Sequence, residues 1–90
     1  MYLVTYHDIT VIVADSTIEL REKLKELLHV QRKQTEDMVI FNAVINGVNH
    51  SFGILVKDVI SPEEAEDHIM KHFQKLAKAT GKYKFYQEVN

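Results

Sequence analysis

Asn46-Gly47 sits in the middle of a stretch whose apolar residues alternate, and no other feature limits the fold so tightly. Both residues tolerate positive φ, as a two-residue type I′ turn requires, so the pair predicts a tight β-hairpin. A two-residue loop also fixes the register. Ile45 then faces Val48, Ala43 faces His50, Phe41 faces Phe52, and Val39 faces Ile54. Strand side chains alternate, so all eight share one side of the sheet, and only His50 among them is not apolar. That side is expected to meet the helices. The other carries Met38, Ile40, Asn42, Val44, Asn49, Ser51, Gly53 and Leu55, a mixed set.

Helices are written on either side of this hairpin. After Ile60, Ser61 caps free amides, Pro62 suits the first helical position, and Glu64 completes a capping box. Glu63, Glu64, Glu66 and Asp67 crowd the positive end of the helix dipole, with Lys75 and Lys78 nearer the negative end. Ala65, Ile69, Phe73, Leu76 and Ala77 form one stripe, and Thr80-Gly81 predicts the stop. Upstream, Ser16 and Glu19 form a second capping box ahead of Leu20, Leu24, Leu27 and Leu28. Residues 31–37, which lack an apolar stripe, read as helix end and loop.

The chain ends read as strands. Ile9 to Ala14 is β-branched and continuous, the pattern of a strand buried on both faces in mid-sheet. Tyr2 to Tyr6 is either its extension or a separate strand folded back at His7-Asp8. Beyond Gly81, Tyr83, Phe85 and Val89 alternate with Lys82, Lys84 and Glu88, the pattern of an edge strand. The fold expected is α+β, a two-layer sandwich of β-α-β-β-α-β (ferredoxin-like) order. Both helices pack on one face of a mostly antiparallel sheet, with a possible extra N-terminal strand.

Ninety residues suit a single domain, 1–90. With no cysteine, the chain has neither disulfides nor a thiolate nucleophile, which fits a reducing cytoplasm. Its apolar runs are far shorter than the roughly 20 residues of a membrane span, and Met1-Tyr2-Leu3-Val4 lacks the basic start of a secretory signal. A net charge of −2 supplies no general positive field, so nucleic acid is not an expected partner.

Among motifs, Glu64, His68 and His72 fall four apart on the second helix and project along one ridge. Two histidines at that spacing can share a zinc ion, with the carboxylate as a third ligand. The bland alternative is a solvated polar face with one boundary histidine. His50, on the core side near the turn, is either a pH-sensitive group or a satisfied boundary residue. Ser51 points to the opposite face and cannot pair with it. His7 and His29 look exposed. Lys82, Lys84 and Tyr86 mix cations with an aromatic ring, as in single-stranded nucleic-acid sites. Buried rings on a lysine-protected edge explain the same residues. There is no glycine-rich phosphate loop and no nucleophile elbow, and Ser16 and Ser61 are accounted for as caps.

Met38, Ile40, Val44 and Leu55 face away from the helices, with Ile9, Val11 and Val13 expected to extend them. An exposed apolar patch of that kind marks an interface. The sequence therefore points to a non-enzymatic protein-interaction or regulatory module, homodimeric through its sheet and without a cofactor. The alternatives are a zinc-binding domain using Glu64, His68 and His72, and a weak single-stranded nucleic-acid binder using Lys82, Lys84 and Tyr86.

Overall fold

A computed structural model describes residues 1–59 and 61–87. Six strands and two α-helices follow one another as β1 (Tyr2–Tyr6), β2 (Ile9–Ala14), α1 (Thr17–Leu27), β3 (Gln31–Gln34), β4 (Met38–Ile45), β5 (Val48–Leu55), α2 (Pro62–Ala79) and β6 (Tyr83–Gln87), with a 3-10 turn at Val56–Asp58. The central hairpin has the register that its turn dictates: Ile45 opposes Val48, Ala43 His50, Phe41 Phe52 and Val39 Ile54. Asn46 and Gly47 take φ of 53° and 77°. On the inner side of β4, Val39, Phe41, Ala43 and Ile45 are all buried.

The strands do not join into one sheet. They form two antiparallel three-stranded sheets, ordered β2-β1-β6 and β3-β4-β5, so the single-sheet ferredoxin-like order does not emerge. Two strands explain the difference, one left open as an alternative in the sequence and one not expected. Tyr2–Tyr6 is a strand of its own, folded back on β2 through His7 and Asp8, and it takes β6 as its other neighbour. Gln31–Gln34, read from sequence as helix end and loop, is a strand that occupies the far side of β4. Thr35 closes the β3–β4 turn, since its amide donates to the Met38 carbonyl at 2.8 Å and its hydroxyl accepts from the Met38 amide at 3.1 Å.

Ile9–Ala14 is also corrected. It is an edge strand, not a central one, and Ile9, Val11 and Val13 are 68%, 39% and 45% exposed. Its β-branched run suits a strand at any place in a sheet; only Ile12 and Ala14 turn inward. Val11 is an extra residue, because Val4 opposes Ile12 while Thr5 opposes Thr10.

Both helices begin as their caps require. The Ser16 hydroxyl accepts from the Glu19 amide at 3.1 Å, and Ser61 does the same for Glu64 at 3.2 Å. Glu19 reaches back one residue beyond the box pattern, to the Asp15 amide at 3.0 Å. Helix α1 ends in a Schellman motif, with Val30 donating to Lys25 at 2.9 Å and His29 to Glu26 at 3.2 Å. His29 holds the left-handed position at φ 51°. This reversal delivers the chain into β3. Gly81, at φ 75°, closes α2.

The buried stripe of α2 comprises Ala65, Ile69, Met70, Phe73 and Ala77. Ile69, Met70, Phe73 and Ala77 pack in one cluster with Val4 and Ile12 of the first sheet, Phe41 and Ile45 of the second, and Leu24 and Leu28 from α1. Helix α2 contacts β4 and β6, so it spans both sheets. The molecule measures 42 × 29 × 18 Å, and its short dimension suits a helix layer on a sheet layer. Arg21 bonds Asp67, and Lys25 Nζ lies 2.5 Å from Glu66 Oε1, tying α1 to α2. Each carboxylate raises the pKa of its cation, Asp67 acting on Arg21 and Glu66 on Lys25. No described helix is long and apolar enough to cross a membrane.

Candidate functional site

The sheet β3-β4-β5 has an inner side that supplies core residues and an outer side that no buried row fills. On the outer side, Val44 and Leu55 are exposed, with Met38 and Ile40 half-buried. The strict alternation of the hairpin puts these four on one side, as the register requires. Asn42 and Ser51, an opposed pair on the same side, hydrogen-bond to each other through their side chains. Ile9, Val11 and Val13 do not extend this surface, because β2 belongs to the other sheet.

The ridge Glu64, His68 and His72 lies beside β5. The Phe52 ring centroid is 4.5 Å from that of His72 and 6.1 Å from that of His68, so the phenyl ring packs against both imidazoles. Glu64 and His68 line an open cleft with Ile54, Asp58, Val59 and Ala65. Among the described residues, no group of three His, Asp or Glu side chains is placed to hold a metal ion. His72 is half-buried while His68 is exposed, the boundary arrangement of a helix edge. Beyond His68, a second groove is walled by Lys71, His72, Gln74, Lys75 and Lys78.

Lys84 and Tyr86 share the outer side of the first sheet, through their register with Thr5 and Leu3. Lys84 is committed elsewhere: its ammonium donates to Asp8 at 3.2 Å, and that bond raises the Lys84 pKa. Tyr86 is exposed, and the Lys82 carbonyl accepts from the His7 amide at 3.0 Å. Asp8 is thus a turn residue that fixes a neighbouring strand. Glu88 and Val89, read with β6, lie outside the described residues. His50 is half-buried opposite Ala43 on the inner side, a boundary position.

Sequence patterning missed the contrast between strand edges. The Lys23 ammonium takes the outward Val13 carbonyl at 2.5 Å and so blunts the β2 edge, a contact between residues ten apart that no local pattern signals. No known protein family, curated protein or solved structure matches this chain. Its surface therefore carries the functional reading alone.

Proposed function

We propose that the chain is a non-enzymatic protein-interaction module that acts as a homodimer, joined through the sheet β3-β4-β5. The observation that carries this reading is the uncovered outer side, where Leu55 opposes Met38 next to Ile40, and Val44 is exposed beyond the Asn42–Ser51 pair. Apolar side chains grouped on a sheet surface are what an interface requires, and two-fold pairing is the commonest way a small chain meets itself. Several polar side chains are spent on structure. Ser16 and Ser61 cap helices, Asp8 binds Lys84, and Glu66 and Asp67 hold α1.

Light scattering coupled to size exclusion, at tens of micromolar chain, tests this directly. A mass of twice the chain is the expected result; a monomer ends the reading.

One observation favours a second reading, binding of single-stranded nucleic acid. From His68 to Gln87 the chain carries Lys71, Lys75, Lys78, Lys82 and Lys84 and no acidic residue. Retention on single-stranded DNA that falls steeply with salt would promote it. The zinc reading for Glu64, His68 and His72 needs a thermal shift on zinc addition that is lost when both histidines become alanine.

A further inference from the structure

Two three-stranded sheets have four edges between them: β2, β6, β3 and β5. An open edge presents unpaired amides and carbonyls to any extended chain. Folded proteins blunt such edges with short strands, bulges, lysines or covering groups. Three of these four edges are blunted. Strand β2 has the extra residue Val11 and the Lys23 clasp on Val13. Strand β3 is four residues long and carries Arg32 and Lys33. Strand β6 carries Lys84, held by Asp8.

Strand β5 has none of these devices. It runs eight residues, Val48–Leu55, without a register shift and without Lys, Arg, Asp or Glu. In a two-residue hairpin the closing pair exchanges both hydrogen bonds, and every second pair after it does likewise. His50, Phe52 and Ile54 therefore bond to β4, while Asn49, Ser51 and Gly53 turn their backbone groups outward. Among the described residues, no hydrogen bond from elsewhere in the chain reaches those outward groups.

We infer that this edge pairs with the same edge of a second copy, antiparallel about a two-fold axis at Phe52. The inference rests on the homodimer reading and names its contact. In this register Ser51 meets Gly53 of the other copy and Asn49 meets Leu55, so the outward groups satisfy one another. A neutral strand can face itself without opposing like charges, whereas Arg32 and Lys33 on β3 or Lys84 on β6 would be set against their own copies.

Helix α2 supplies the second reason for a copy of this chain as occupant. Phe52 packs on His68 and His72, and Ile54 shares a cleft with Glu64, so α2 runs antiparallel along β5. Its first half carries Glu63, Glu64, Glu66 and Asp67; its second carries Lys71, Lys75 and Lys78. A helix that is acidic at one end and basic at the other becomes self-complementary when a two-fold axis reverses it. With the axis at Phe52, Glu64 comes opposite Lys75 of the other copy. An unrelated extended peptide would satisfy the strand but make no use of that polarity.

The test measures dimer affinity of the full chain by sedimentation equilibrium. Ser51→Pro removes an outward amide and leaves the β4–β5 backbone bonds intact, losing only the side-chain bond to Asn42, and it should weaken the dimer by at least about tenfold. At low salt, Glu64→Lys and Lys75→Glu should each weaken it several-fold, and the double variant should recover wild-type affinity. Where circular dichroism shows Ser51→Pro unfolded, the charge series decides. A folded Ser51→Pro dimer of wild-type affinity overturns the inference, as does a double charge variant no tighter than the singles. Val44→Glu, on the outer side, separates the two readings. If it alone dissolves the dimer, the edge contact fails and the homodimer stands; a monomeric wild type removes both.

Discussion

The hairpins β1–β2 and β4–β5 turn through similar left-handed backbone with different residues. His7 and Asp8 take φ of 51° and 65°, close to the 53° and 77° of Asn46 and Gly47. Asn-Gly adopts this geometry readily, while a histidine followed by an aspartate does so against the crowding of two β-carbons. The first turn is held from outside. The His7 amide donates to the Lys82 carbonyl and Asp8 bonds Lys84. One turn is thus set by its own residues, and the other by the strand that docks beside it. The same division appears at the edges, since the first hairpin is bulged and clasped while the second is straight and bare.

The largest test of this contrast strikes the second hairpin where it joins the core. Phe41 is 3% exposed, and Phe41→Ala should cost about 3–5 kcal/mol in chemical denaturation. A loss below about 1 kcal/mol would mean that this hairpin does not anchor the fold. Next in size is Gly47→Ala. Nothing lies within 4 Å of where the new β-carbon would sit, so the cost is conformational alone, about 1–2 kcal/mol. The complementary change grafts the better turn onto the first hairpin. Converting His7 to Asn and Asp8 to Gly should raise stability by roughly 0.5–1 kcal/mol, less whatever the Asp8–Lys84 bond contributes at the surface. If the graft destabilises instead, the contacts from β6 outweigh the turn preference.

What the sequence made legible follows the same line. Ser16, Ser61 and Asn46-Gly47 act through neighbours within a few residues, and each produced the structure its chemistry demands. Gln31–Gln34 carried no signal, because all four residues of β3 are exposed and neither face needs an apolar row. His29 hid the Schellman end of α1, since glycine is the usual mark of that position. The split into two sheets was out of reach for a different reason. Which strands become neighbours is decided by tertiary packing, and β-branched Ile9–Ala14 suits an edge or a centre equally well. For the candidate surface, alternation alone placed Met38, Ile40, Val44 and Leu55 on one side. The bare edge of β5 became visible only once the other three edges and their guards were known.

The smallest predicted effect separates the sheets by pH. Tyr83 is 8% exposed, and burial, aided by the Tyr6 phenol 4.7 Å away between ring centroids, raises its pKa above the ordinary tyrosine value. A folded-state pKa above the unfolded one gives stability that is whole below about pH 10 and is lost as pH climbs through the folded value. Both of these rings belong to the sheet β2-β1-β6, and no tyrosine occurs from Met38 to Leu55. Thermal melts should therefore fall above about pH 10 in the wild type and stay flatter in Tyr83→Phe. Methyl signals of Val4 and Ile12 should change before those of Val39 and Ile54 as the pH is raised. An unchanged alkaline fall in Tyr83→Phe would assign the effect to other groups. Simultaneous change in the methyl signals of all four residues would show that the two sheets, joined by α2, unfold as one unit in spite of their different turns.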